Sequence, residues 1–98
     1  MREVYVSAKQ WRDKKYGNVY QSARVYVDDV LVGAIPFQYS GGDQYVYEAG
    51  KLLGRLGLLP DGVDDVRPMR QLRELGVSVV TQVQDAYKRE AEAWGEGE

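Results

Sequence analysis

The sequence predicts an α+β domain: a three-stranded antiparallel meander, two helices, a fourth strand, and a C-terminal segment able to form a further helix. Three observations carry this. Apolar and polar residues alternate at period two as far as Phe37. After Ser40-Gly41-Gly42 the apolar spacing changes to that of a helix, and near Val77 it returns to two. Strands that precede helices point to a mostly antiparallel sheet with helices over one face. A chain of 98 residues fits one domain on a scale of roughly 100–200 residues per domain. That domain is expected over residues 1–94, with 95–98 as a flexible acidic tail.

In the first strand Val4, Val6 and Ala8 alternate with Tyr5, Ser7 and Lys9. The second, Val19 to Val27, sets Val19, Ala23, Val25 and Val27 on one side and Tyr20, Ser22, Arg24 and Tyr26 on the other. Between them Trp11 to Asn18 reads as a charged loop ending in the turn residues Tyr16-Gly17-Asn18. The third strand, Val30 to Phe37, follows Asp28-Asp29, a two-residue connection between β-branched runs that signals a hairpin. Pro36 implies that this strand stops there or lies at a sheet edge.

The first helix follows. Ser40 with Asp43 has the spacing of a capping box, and Asp43 is the alternative N-cap. Tyr45, Ala49, Leu52 and Leu56 form a stripe that Val46 and Leu53 widen, with Glu48, Lys51 and Arg55 outside. Gly57 and Pro60 end it. A second helix is expected from Val66 to Leu75, capped by Asp64 or Asp65, with Pro68 in its first turn and Gly76 just past its end. Val77 to Val83 alternates as the fourth strand. Asp85 to Trp94 sets Tyr87, Ala91 and Trp94 on one helical side, expected to pack on the domain itself.

Composition excludes whole classes of chemistry. The chain has no cysteine and no histidine, which removes disulfides, thiolate nucleophiles, Cys/His zinc sites and histidine acid–base catalysis. No apolar run reaches the roughly 18 residues of a membrane span, and no signal-peptide core stands at the N-terminus. A cytoplasmic protein without membrane association is expected. Net charge is −2, so no global basic field draws nucleic acid. Charge is nevertheless segregated: residues 1–24 hold six Lys/Arg against two Asp/Glu, whereas residues 25–50 hold four acids and no base.

Each candidate site competes with a plainer structural role. Ser40-Gly41-Gly42-Asp43 lacks the Gly-Lys-Ser/Thr of a phosphate loop, and Asp43 would repel phosphate. It is read as a turn and cap. Asp28-Asp29 and Asp64-Asp65 are adjacent pairs, so strand alternation does not converge them on one metal, and no calcium-loop spacing is present. Ser7 near Lys9, or Ser22 near Arg24, would need a positioned base that the pattern does not supply. No catalytic residue, metal ligand or cofactor is assigned, and the chain is expected not to be an enzyme. What stands out is Trp11, Tyr16, Tyr20 and Tyr26 beside Arg12, Lys14, Lys15 and Arg24. Aromatics among cations serve as protein-contact anchors or as a stacking surface for single-stranded nucleic acid.

Lys15-Tyr16-Gly17-Asn18-Val19-Tyr20-Gln21-Ser22-Ala23-Arg24-Val25, Gly42-Asp43-Gln44-Tyr45 and the late Val80-Thr81-Gln82-Val83 together resemble a family of small uncharacterised proteins of tailed bacteriophages and prophages. The resemblance spans about residues 10–88 and rests on short Gly-Asn-x-Tyr-x-Ser, Gly-Asp-x-Tyr and Val-Thr-x-Val motifs. The chain departs from the pattern at Asp28-Asp29, where Asx-Gly is expected, and at Ser40-Gly41, where an aromatic is more usual. The resemblance implies no active site. It implies a small phage accessory protein that binds and modulates or inhibits a host or defence protein in the bacterial cytoplasm. On this reading Trp11, Arg12, Lys14, Lys15, Tyr16, Tyr20, Arg24 and Tyr26 form the partner-binding surface. The alternative is a nucleic-acid or nucleotide binder using the same residues. A homodimer through an exposed third strand is a further expectation, opposed by Pro36.

Overall fold

Seven elements are present in the computed structural model, which describes residues 1–63 and 67–97. They are β1 (Glu3–Arg12), β2 (Val19–Val27), β3 (Val30–Tyr39), α1 (Gln44–Arg55), α2 (Pro68–Glu74), β4 (Ser78–Asp85) and α3 (Lys88–Trp94). This is the α+β order expected from the sequence, C-terminal helix included. The sheet order is β3-β2-β1-β4. β1 to β3 form the antiparallel meander, and β4 joins the far edge of β1 in parallel. The parallel pairing follows from connectivity, since α1 and α2 carry the chain back across the sheet before β4 starts.

β1 centres the structure. Val4, Val6 and Ala8 are buried on one face together with Ala23 and Val25 of β2 and Ile35 of β3. α1 and α2 close over them with Tyr45, Ala49, Leu52, Leu53, Met69 and Leu72, and Val77 completes the core. The stripe read along α1 therefore faces the sheet, except that Leu56 is the exposed C-cap. Asp43 is the N-cap residue, yet its side chain makes no capping bond. The Ser40–Asp43 capping box does not form, because the Ser40 hydroxyl donates to Gln21 Oε1 at 2.8 Å. Gln21 is itself buried, and its amide donates to Gln10 Oε1 and Gly42 O, both at 3.0 Å. Those bonds tie the start of α1 to the sheet.

Boundaries shift in four places. β1 extends through Trp11 and Arg12, because its ladder with β2 stays in register as far as Arg12↔Val19. The loop shrinks to residues 13–18, closed by Asp13 N–H on Asn18 O at 2.8 Å. β3 continues past Pro36 to Tyr39: it is an edge strand, and a bulge sets Pro36 and Phe37 opposite Ser22, where a missing N–H is tolerated. α2 starts at Pro68, in the first helical turn, with Arg67 at the N-cap position. The caps expected at Asp64 or Asp65, and the start at Val66, lie outside the described residues. β4 spans Ser78–Asp85 rather than Val77–Val83.

Helices cover both faces of the sheet, not one. α3 lies on the face opposite α1 and α2, where Ala91 is fully buried and Trp94 half-buried while Tyr87 stays exposed. Beyond it, residues 95–97 lie along β3: a Cβ on Gly95 would sit 2.8 Å from the Phe37 nitrogen. Glycine permits that close approach. Glu98 lies outside the described residues.

The β2–β3 hairpin turns on Asp28 and Asp29, at φ of +49° and +68°. Positive φ at both central residues matches the right-handed twist of the strands, and Asp tolerates it better than most residues. Asp28 Oδ1 accepts the N–H groups of Arg2 and Glu3 at 2.7 and 2.9 Å. The Glu3 and Arg2 amides hold the carboxyl below its ordinary value of 3.8. A depressed carboxylate stabilises the fold above its unfolded pKa, and this contribution is lost as pH falls through the folded value. Denaturation from about pH 5 to about pH 2 should thus show a steeper acid loss for the native chain than for Asp28→Asn. At Gly50 of α1 an added Cβ would lie 2.5 Å from Pro68 Cγ of α2. Gly→Ala ordinarily stabilises a helix interior by about 1 kcal/mol. Here Gly50→Ala should destabilise by about 1–3 kcal/mol in urea melts, because the helices are forced apart.

Candidate functional site

The second face of the sheet carries the residues singled out from sequence. Tyr5, Ser7, Lys9 and Trp11 of β1 pair with Tyr26, Arg24, Ser22 and Tyr20 of β2. α3 crosses the middle of this face. The Ser22 hydroxyl donates to Ala91 O, and Trp94 Nε1–H donates to Ser7 O at 2.7 Å. Arg24 donates from Nε to Trp94 O at 3.1 Å, and its guanidinium lies 3.9 Å from the Trp94 ring centroid. Lys9 Nζ approaches the same ring at 4.7 Å and Glu90 at 3.8 Å. Two cations thus bracket one indole, an arrangement that fixes the ring electrostatically while its N–H is satisfied.

α3 divides the eight predicted partner-binding residues. On one side, Trp11 and Tyr20 lie 5.7 Å apart between ring centroids. Arg12, Lys14, Lys15 and Tyr16 border them at the strand end and in the 13–18 turn, where Arg12, Lys14, Lys15 and Tyr16 are exposed. Arg24 sits against Trp94. Tyr26 lies beyond α3, stacked on Tyr5 at 5.7 Å. The structure therefore gathers Trp11, Tyr20, Arg12 and Lys14 at one end of the sheet, leaves Lys15 and Tyr16 exposed in the adjoining turn, and sets Arg24 and Tyr26 apart from them.

Three residues join this cluster that the sequence reading did not select. Phe37 stacks on Tyr20 at 5.3 Å and lies 6.3 Å from Trp11. Tyr39 meets Tyr20 edge-on at 5.7 Å, and Lys88 Nζ lies 5.3 Å over the Trp11 ring. Phe37 was hidden by the bulge: Ile35 points into the core, and the extra residue sends Phe37 to the opposite face. Tyr39 was legible in principle, since a strand continued past Pro36 sets it opposite Tyr20. Lys88 had no sequence signal, because its place depends on how α3 docks.

The result is an aromatic platform of Trp11, Tyr20, Phe37 and Tyr39 at one end of the sheet. Trp11, Tyr20 and Phe37 are half-buried and Tyr39 is 70% exposed. Beside it runs an open groove lined by Trp11, Arg12, Lys14, Asp85, Tyr87 and Glu90, among others. The groove mixes charges, two cations with two acids. Among the described residues no cluster of three or more acids forms a metal site, and no helix is long and apolar enough to cross a membrane. Comparison with protein-family models, with curated proteins and with solved structures finds no match to the chain.

α3 flanks the platform through Lys88, and Trp94 anchors that helix to the sheet. Trp94→Ala removes a half-buried indole, its hydrogen bond and two cation contacts. It should cost about 2–3 kcal/mol in denaturant titrations, below the range for a fully buried tryptophan. Hydrogen exchange should show 88–97 losing protection ahead of β1 and β2.

Proposed function

We propose that the chain is a small non-enzymatic binding protein of phage or prophage origin, acting by stoichiometric occlusion of a host or defence protein in the bacterial cytoplasm. The observation that supports this is the aromatic platform. Four rings stand together on a sheet face, Tyr39 among them largely open to solvent, with Lys88 over Trp11 and with Arg12 and Lys14 lining the groove beside them. Tyr, Trp and Arg are the residue types that anchor protein interfaces, while flexible lysines steer encounter more than they hold the complex. The contact surface is Trp11, Arg12, Lys14, Lys15, Tyr16 and Tyr20, extended by Phe37, Tyr39 and Lys88. Arg24 belongs instead to the α3 clamp.

One observation favours a second reading, a single-stranded nucleic-acid binder. Tyr20 and Phe37 are near-parallel at 13°, and stacked rings with a cationic rim are how bases are held without sequence preference. Asp85 and Glu90 in the adjoining groove oppose it, since a phosphate backbone meets them along with the cations. The protein-binding reading is preferred on that ground.

Capture from bacterial lysate with the tagged chain, at about 50 and about 300 mM salt with and without nuclease, separates the two, because screening removes phosphate contacts first. A stoichiometric protein that survives both treatments is expected. A catch of nucleic acid lost at high salt would replace this reading with the second. With the partner in hand, Trp11→Ala should weaken binding by about tenfold or more and Lys14→Ala by less than about threefold. Equal losses at both would contradict the anchor role.

A further inference from the structure

The sheet has two edges, and they are built differently. β3 carries two irregularities in its pairing and a proline, and Gly95 packs against its Ile35–Phe37 backbone. These are devices that stop an edge from pairing with another strand. β4 has none of them. Its ladder with β1 runs without a shift from Glu3↔Ser78 to Gln10↔Asp85. Residues 78–84 hold no proline, glycine or charged side chain, and Val80 and Val83 are 44% and 42% exposed.

The direction of its backbone groups follows from the ladder. Ser78 N–H donates to Arg2 O and Ala86 N–H to Gln10 O. Alternation in a parallel pair then turns Ser78, Val80, Gln82 and Gln84 toward β1 and Val79, Thr81, Val83 and Asp85 outward. Arg73 confirms the outward sense at Val79, donating from Nη2 to its carbonyl at 3.2 Å. No described residue pairs with the outward backbone groups of Thr81 and Val83.

We propose that this edge is a homodimer interface, with β4 pairing antiparallel to β4 of a second copy about a two-fold axis at Val83. The strand is self-complementary in that register. Val83 meets Val83 of the second copy in a mutually hydrogen-bonded pair, and Thr81 stands opposite Asp85, its hydroxyl on the same face as the carboxylate. Gln82 stands opposite Gln84 on the other face, amide to amide. The strand's one charge thus meets a hydroxyl, and no like charges oppose each other. In this register Tyr87 of the second copy stands opposite Val79, whose carbonyl Arg73 already holds, so the ladder ends at the Thr81–Asp85 pairs and joins the two sheets into one of eight strands. Pairing through one edge is a small interface, so the dimer is concentration-dependent. This moves the dimer contact from the third strand, where the sequence placed it, to the fourth.

Sedimentation of the full chain should show the weight-average mass rising from 11.1 kDa toward twice that value by about 100 µM, as a weak interface requires. Val83→Lys sets two cations face to face at the axis and should stay monomeric, with circular dichroism confirming the fold. The natural chain has no cysteine, so Val83→Cys carries a single thiol. Hydrogen-bonded antiparallel pairs hold their Cα atoms about 5.5 Å apart, within disulfide reach. Val83→Cys should therefore form an intermolecular disulfide under mild oxidation, well ahead of Val30→Cys on the opposite edge. A chain that stays at the monomer mass, or equal cross-linking at the two positions, would overturn the proposal and leave the edge to a strand from another protein.

Discussion

Every layer of this structure is attached to β1. It donates to two neighbours of opposite sense, antiparallel β2 and parallel β4, so it has no free edge of its own. Its alternation supplies both faces. Val4, Val6 and Ala8 are all but inaccessible beneath α1 and α2, while Ser7 and Lys9 receive α3 and Trp11 begins the aromatic platform. A one-residue slip of β1 would exchange the two sets, burying lysine in the core and exposing the valines. The register of one strand thus fixes where the core is and where the open rings are.

Glutamine and serine do at the buried margins what apolar packing does at the centre. Gln21 is 1% exposed yet satisfied by Gln10, Ser40 and Gly42. Ser22 is fully buried and bonded to the α3 backbone. A buried polar group costs little when paired and a great deal when left alone. Each of these bonds therefore specifies one docking position, Gln21 for the start of α1 and Ser22 for α3. No buried side-chain nitrogen or oxygen among the described residues lacks a partner.

The platform and the β4 edge are separate surfaces with different physics. The first gathers rings whose flat faces are part-covered and whose rims carry cations, suited to anchors and shape. The second offers backbone groups in a row, suited to a strand. They lie on different parts of one sheet and meet at Asp85, which ends β4 and lines the groove beside the rings. Two modes of contact are thus available to a domain too small to hold two cores.

Local chemistry settled much of this protein. The alternation of Val4 to Ala8 and of Val19 to Val27, the stripe of α1, Gly57 and Gly76 past two helices, and the Asp28-Asp29 turn were all legible, because each depends on residues near in the chain. The aromatic and basic residues around Trp11 were legible as a composition. Tertiary structure alone decided the rest. That β4 runs parallel beside β1 depends on where two helices return the chain. That α3 takes the second face depends on Ser22, Arg24 and Ser7 offering partners to a seven-residue helix too short to stand by itself. Phe37 reached the platform through one extra residue opposite Ser22, which inverts the alternation that a sequence displays. Such choices are made by hydrogen bonds between residues as far as 87 positions apart, as Ser7 and Trp94 are, and periodicity carries no information over that distance.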